Sequence, residues 1–416
     1  THSTSSAASD VYKRQVPEGL MHPRRIRDGV HEGVIDGGNQ SGIPYSRGFE
    51  CFDHRFIGKP LVYCGTLGTI PVSLGSRPSE RKEVEVGDWV VMCGGRIGKD
   101  GIHGATFSSE ELRTESPAQA VQIGDPLTQR KLYEFILEAR DLGLFRCITD
   151  NGAGGISCSF GEMGKYSNGC ECELHGAPLK YEGLQPWEIL VSEAQERMTL
   201  AVQPENRSKF ETLALKRDVD VAFMGKFNDS GYFTVKYKGD VVASLDMDFL
   251  YENGCPVLQI PAVWKKPTID EPDKLDYDYS DVILSLVGDL NLCSREFKSR
   301  MYDGEVKGLS VVKPYVGKNA DVPSDATVLR VDYDSNRGAV LAEGINPWFS
   351  DLDSYCMTTS VIDEAVRKII SVGGALDRIA ILDNYCWPDP VLSEKTPDGE
   401  YKMAQLVSCL LYTSPS

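Results

Sequence analysis

The sequence predicts a mixed α/β protein built from more than one domain. Three observations point there. Between residues 88 and 250, short apolar segments with strand character alternate with segments of helical period. A stretch rich in Pro, Asp and Lys, residues 261–281, then interrupts the alternation. Beyond it, strand and helix patterns resume. A length of 416 residues suits about two to four domains.

The elements follow in order. Residues 16–80 mix short apolar runs with many glycines, and 36–44 (DGGNQSGIP) predict a turn. Residues 61–67 and 70–74 predict strands. The acidic, glycine-containing connector 83–88 predicts a domain boundary. Residues 88–93 (DWVVMC) predict a strand, followed by a glycine-rich loop. Asp125-Pro126 opens a helix, because Asp suits the N-cap and Pro the first helical position. Leu132, Phe135, Ile136 and Ala139 fall on one face of it, and Gly143 ends it. Residues 144–148 predict the next strand, ending on Thr149-Asp150; 198–202 and 233–236 predict two more. After the 261–281 linker come a helix over 280–301 and strands over 326–332 and 338–342. An amphipathic helix follows over about 353–372, with Val361, Ile362, Ala365, Ile369 and Ile370 as its stripe and Gly373-Gly374 as its stop. Residues 379–382 predict a final strand ending on Asp383. No internal repeat is visible.

Composition excludes several classes. Hydrophobic residues make up 41% and charged residues 25%, which is ordinary globular usage. No apolar run approaches the ~18–20 residues that span a bilayer, and residues 1–20 hold no apolar core of a secretory signal. Forty-four basic against 61 acidic residues leave a net charge of −17, which argues against a nucleic-acid or membrane-surface footprint. Of 12 cysteines only Cys170 and Cys172 are close in sequence, and a lone C-x-C pair is a weak zinc signal. Free thiols in a reducing cytoplasm are the simpler reading. Residues 1–15 (THSTSSAASDVYKRQ) and 408–416, which close on CLLYTSPS, resemble translated sequencing-adapter sequence. They are expected to be non-native or disordered tails and lie outside the fold argument.

Four constellations hold chemistry, each with a plainer reading beside it. Residues 93–109 (CGGRIGKDGIHGATFSS) follow a strand and hold five glycines. Glycine lets backbone N–H groups approach an anion, and Arg96 and Lys99 add positive charge. The spacing is not that of a Walker A loop, and a flexible glycine turn is the alternative. Residues 150–157 (DNGAGGIS) place Asp150 at a strand's carboxyl end before a glycine turn. That position suits a Mg²⁺ ligand, and equally an Asx turn. Residues 192–198 (SEAQERM) crowd Glu193, Gln195, Glu196 and Arg197 before an apolar strand. They suit either a polar binding pocket or a solvated loop with surface ion pairs. Residues 383–390 (DNYCWPDP) again place an acid at a strand end, or form a turn. No hydrolase triad order, zincin motif or dinucleotide fingerprint is present.

In their order and approximate spacing, GGRIGKDGIHGATFSS, VQIGDPLTQRKL, ITDNGAGGISCSFGEMG and SEAQERM resemble the phosphoribosylformylglycinamidine (FGAM) synthase family. YDGEV at 302–306 and the segment 381–390 resemble that family's second half. The resemblance spans roughly residues 16–407. It implies an α/β fold of the FGAM synthase/AIR synthetase-like type, with a small barrel-forming domain and a larger α/β domain in tandem, pseudo-dimeric arrangement, truncated at both ends. The domains it implies are the tail of a first small domain (16–80), a first large domain (82–250), a linker (251–275) and an incomplete second small domain (276–407).

The resemblance further implies the chemistry. Formylglycinamide ribonucleotide, ATP and ammonia give formylglycinamidine ribonucleotide through an iminophosphate, in purine biosynthesis. ATP and Mg²⁺ are the implied cofactors, and a glutaminase subunit or domain the implied ammonia source. Neither nucleic acid nor membrane is an implied partner, and the setting is cytoplasmic. Gln122, Glu193, Ala194 and Gln195 are implied to contact the ribonucleotide, Asp150 to bind Mg²⁺ and Asp383 to bind ATP. Ala194 stands where the family commonly has a hydroxyl residue, which leaves a backbone contact there. The family's catalytic histidine is expected upstream, so the fragment alone is expected to be inactive. The alternatives are another ATP-dependent synthetase of the AIR synthetase superfamily and a non-catalytic, nucleotide-stabilised scaffold. The continuation past Pro261 argues against the shorter single-copy enzymes.

Overall fold

The computed structural model describes residues 16–413, apart from 76, 117–119, 121–123, 195, 255, 266–267 and 269–277. The chain divides into two compact units, one of residues 17–29 and 66–257 and one made chiefly of 30–65 and 258–416. Helix α1 (Pro23–Ser41) contributes residues to both. It runs through Gly37 and Gly38, where the sequence suggests a turn. Its end comes at Gly42, with φ +68, while the Ile43 N–H closes on the Gly38 carbonyl at 3.0 Å. Continuous i→i+4 bonding thus overrides the glycines, and Pro44, lacking an N–H, bars continuation.

The unit around 66–257 is a sheet with helices on both faces. A small hairpin, β1 (Ser73–Leu74) and β2 (Arg77–Pro78), precedes it. No strand forms over 61–67, and the strand expected over 70–74 shrinks to β1. Leu61, Val62 and Tyr63 lie exposed, so this apolar run meets neither a partner strand nor a core. The main strands are β3 (Trp89–Gly94), β4 (Cys147–Asp150), β5 (Cys170–Glu173), β6 (Arg197–Val202), β7 (Val221–Phe227), β8 (Tyr232–Tyr237) and β9 (Asp240–Asp246). They form one seven-stranded sheet in the order β4-β6-β3-β7-β5-β8-β9. Only the β5–β8 pair is parallel.

The period of two sorts the strand residues between two cores. Val91 and Cys93 of β3 and Leu200 and Val202 of β6 face α3 (Pro126–Asp141) and α6 (Arg207–Arg217), which supply Leu132, Phe135, Ala139, Phe210 and Leu213. Val90 and Met92 of β3 and Ala201 of β6 face the other way. There they meet Ile156, Phe160 and Met163 of α4 (Gly155–Gly164) and Ile189 of α5 (Pro186–Val191). A four-residue helix, α2 (Gly104–Phe107), sits in the loop after β3.

Helix α3 starts as its sequence predicts. Asp125 accepts the Leu127 and Thr128 N–H groups at 3.1 and 3.2 Å, with Pro126 at the first position. It stops before Gly143, at φ +66.

The second unit has a smaller interior. The helix expected over 280–301 is two pieces, α7 (Tyr279–Val287) and α8 (Glu296–Ser299). Gly288 ends the first. Asp289 then draws the chain into a turn, accepting the Asn291 N–H on its carboxylate (2.8 Å) and the Cys293 N–H on its carbonyl (2.7 Å). Strands β10 (Ser310–Val312), β13 (Thr327–Arg330) and β14 (Gly338–Leu341) form an antiparallel sheet in that order. The pair β11 (Tyr315–Val316) and β12 (Val322–Pro323) is a separate hairpin.

Helix α9 (Ser354–Ser371) is capped by Asp353, which accepts the Cys356 N–H at 2.9 Å. It packs on α10 (Gly399–Thr413). Its best-buried residues are Ser354 and Thr358, while Ile370 of the expected stripe is 48% exposed. Residues 379–382 form no strand. Ile381 and Leu382 are 55% and 75% exposed, so no described strand offers them an edge. No described helix is long and apolar enough to cross a membrane.

Candidate functional site

Strands β3 and β4 run antiparallel to β6, with Cys93 and Asp150 both level with Met198. The carboxyl ends of β3 and β4 and the amino end of β6 therefore meet at one edge of the sheet. Three loops emerge there: 94–104 after β3, 151–154 after β4, and 192–196 before β6. These are the first three sequence constellations, brought together by topology. Carboxyl strand ends are where α/β sheets usually present ligand-binding loops.

The 192–196 segment is the keystone. Backbone bonds join Glu193 N–H to Gly101 O (3.2 Å), Ala194 N–H to Asn151 O (3.1 Å) and Gly95 N–H to Glu196 O (2.8 Å). The Ser192 hydroxyl donates to Asp100 O at 3.0 Å. Two glycines are required by this closeness. Gly101 (φ +80) would drive a Cβ into the Glu193 carbonyl, and Gly155 (φ +58) would drive one into that of Ser192. The Glu193 carboxylate then spans the other two loops, accepting Ala105 N–H at 2.9 Å on one oxygen and Gly154 N–H at 3.1 Å on the other. Both are charge-assisted bonds to backbone donors.

Beneath lies a buried polar layer. Glu196 is 4% exposed and accepts the Asp125 N–H at 2.7 Å. Burial pushes its carboxyl above the ordinary value, with that N–H pulling the other way. Arg197 is fully buried and donates to Ser192 O (3.0 Å), Ser192 Oγ (3.3 Å) and Glu193 O (3.3 Å). Burial pulls its guanidinium down to about 10, so it remains a cation at neutral pH. Asn151 bonds to Thr199 Oγ1 at 2.8 Å, and Thr199 to Ser159 at 2.9 Å.

The sequence-derived candidates fall out as follows. Glu193 and Ala194 sit in the keystone, with Ala194 2% exposed. The solvated-loop reading of 192–198 is thereby overturned, because the fold closes over Ala194, Glu196 and Arg197. Gln122 and Gln195 lie outside the described residues. The flanks of Gln122 do reach the site: a Cβ on Gly104 would lie 3.0 Å from Ala120 O, and one on Gly124 3.2 Å from Glu196 Oε1.

Asp150 is exposed at the end of β4 and accepts the Gly152 N–H at 2.9 Å, which is an Asx turn. It belongs to no metal-binding cluster of the protein's own, since no group of three or more His, Cys, Asp or Glu able to hold a metal occurs among the described residues. One exposed carboxylate fits Mg²⁺ shared with phosphate oxygens and water, and does not fit a self-contained cage. Arg96 and Lys99 pair with Asp220 (2.8 Å) and Glu188 (3.2 Å), so the loop's positive charge is largely compensated. Asp383 belongs to the other unit and is exposed, in a segment without strand structure. Every described cysteine is a free thiol, Cys170 and Cys172 being buried in β5.

Sequence reasoning did not single out Asn151, and left Arg197 open between a polar pocket and a solvated loop. A signal existed. Arg197, Thr199 and Ala201 alternate along β6 toward the same covered face.

This fold and loop arrangement define a class. Residues 85–238 match the family model described as AIR synthase related protein, C-terminal domain. The wider chain is similar to phosphoribosylformylglycinamidine synthase subunit PurL. It is 34% identical to that of Thermoplasma volcanium over 89% of this chain and 49% of the relative. With that of Thermoplasma acidophilum the figures are 36%, 86% and 47%. The chain thus spans about half the length of the curated relatives it matches.

Solved structures agree. Thermotoga maritima PurL complexed with FGAR superposes with TM-score 0.60 at 25% identity, covering 83% of this chain and 53% of that one. The PurLQS structure from Thermotoga maritima gives TM-score 0.63 at 23% identity, covering 92% and 58%, and speaks to the fold. The family that the sequence motifs resemble is the family these comparisons return.

Proposed function

We propose that this chain forms part of an enzyme that converts formylglycinamide ribonucleotide, ATP and ammonia into formylglycinamidine ribonucleotide, in the cytoplasm. The observation that carries the reading is the latch: Glu193 joins the two glycine loops at one sheet edge, in a chain similar to a PurL whose structure is described as complexed with FGAR. In the proposed reaction the substrate's amide oxygen attacks the γ-phosphorus and the bond to ADP breaks. Ammonia then adds to the resulting imidate carbon, the C–O bond breaks, phosphate departs with the oxygen, and a proton is lost. Such chemistry depends on positioning and on neutralising phosphate charge.

Gln122, Glu193, Ala194 and Gln195 take the ribonucleotide side, with Ala194 offering backbone only. Asp150 takes Mg²⁺, which when bound offsets phosphate charge. Asp383 takes part in ATP binding, as the motif resemblance implies. Ammonia comes from a glutaminase subunit or domain.

The test uses the protein encoded by the whole reading frame that contains this chain, with formylglycinamide ribonucleotide, Mg-ATP and ammonium, following ADP release. Release should depend on the ribonucleotide, and Asp150→Asn should lower it by ~10²-fold. A folded wild-type protein with no ribonucleotide-dependent release would sink the synthetase reading and favour a nucleotide-stabilised scaffold.

A further inference from the structure

A buried guanidinium without a counter-ion is unfavourable unless something demands its shape. Arg197 comes close to that state: the charges of Asp100 and Glu196 act on it, but neither carboxylate forms an ion pair with it among the described residues. It is fully buried, and each hydrogen bond it makes goes to a neutral oxygen of Ser192 or Glu193. Its Nε has no partner among the described residues, nor has the nearby Asn151 Nδ2. A methionine would fill much of the space without burying a charge. What methionine lacks is a planar set of donors able to hold two successive carbonyls and a hydroxyl together.

Those acceptors belong to the turn from which the Glu193 side chain departs, and that side chain binds Ala105 and Gly154. The order of dependence is therefore guanidinium, Ser192–Glu193 backbone, Glu193 carboxylate, glycine loops. We propose that Arg197 is a positioning residue: by clamping the Ser192 and Glu193 carbonyls from below, it sets Glu193 and Ala194 against the ribonucleotide substrate. The inference rests on the functional reading above, and assigns to a buried residue part of the binding of one substrate, the ribonucleotide.

The experiment takes Arg197→Lys and the milder Ser192→Ala in the whole-frame protein. It measures KM for formylglycinamide ribonucleotide and for Mg-ATP separately, alongside the folded fraction. Arg197→Lys keeps the charge and loses the fork. It should raise KM for the ribonucleotide about tenfold, as for one lost charge-assisted hydrogen bond, and change KM for ATP less than about twofold. Ser192→Ala removes one acceptor of the guanidinium together with the hydroxyl's bond to Asp100 O, and should shift the same constant in the same direction and by less. A purely structural Arg197 would lower the folded fraction and apparent kcat with both KM values unchanged, and that result overturns the inference. If Arg197→Lys does not fold, Ser192→Ala decides on the same criterion. A wild-type protein without ribonucleotide-dependent ADP release would instead refute the functional reading.

Discussion

Replacing Glu193 by alanine tests the latch directly, whatever the substrate. The side chain makes two charge-assisted bonds, to Ala105 N–H at 2.9 Å and to Gly154 N–H at 3.1 Å. Bonds of this kind contribute about 1.5–3 kcal/mol each when dry. The Ala105 end is exposed and the Gly154 end half-buried, so water recovers part of the loss. Taking the low end and discounting the exposed bond leaves a destabilisation of about 2 kcal/mol for Glu193→Ala. Glu193→Gln retains one carbonyl acceptor and should lose about half as much. Urea unfolding of the purified chain reads the total, and hydrogen exchange at the Ala105 and Gly154 amides reads its location. Both amides should exchange faster in Glu193→Ala, and one of them in Glu193→Gln. If Glu193→Ala unfolds within about 0.5 kcal/mol of the wild type and both amides keep their protection, the carboxylate does not hold the loops and the reasoning fails.

Two further predictions concern the scaffold. Asp125→Ala removes the cap of α3 and should destabilise by about 1 kcal/mol at pH 7. The Thr128 hydroxyl and N–H hold the Asp125 carboxyl below its ordinary value, so the cap's contribution is present above the unfolded pKa of ~3.9 and lost as pH falls through the folded value. The wild-type and variant urea midpoints should therefore converge in acid, and a gap that persists unchanged once the carboxyl is protonated in the folded state would refute the cap. Phe210→Ala empties a fully buried ring packed edge-on against Phe135 at 5.0 Å and Phe223 at 6.2 Å. It should cost about 3–5 kcal/mol by urea unfolding, and a loss under about 1 kcal/mol would mean that α6 does not close that face of the sheet.

What the sequence reveals here depends on how far each signal must reach. Asp125, Pro126 and Gly143 act within a turn of themselves, and the helix they bracket is legible from local chemistry alone. The strand expected at 379–382 has the right residues but needs an edge to pair with, and Ile381 and Leu382 find none among the described residues. Gly37 and Gly38 suggest a turn and Gly288 suggests nothing. Yet the first two lie inside a helix and the third ends one, because helix continuation is decided by cooperative bonding beyond the glycine itself.

The site divides the same way. Its three loops are visible as motifs, whereas the latch joins Glu193 to residues 88 and 39 positions away, a separation no local pattern encodes. Arg197 is the instructive case. Its composition, amid Glu193, Gln195 and Glu196, suggests solvent. Its parity with Thr199 and Ala201 along β6 suggests the interior, and the interior is where it lies. Where composition and parity conflict at the start of a strand, the pleat fixes the side chain's direction before the environment is known. A charged group directed inward then requires acceptors folded over it, and the Ser192–Glu193 turn supplies them.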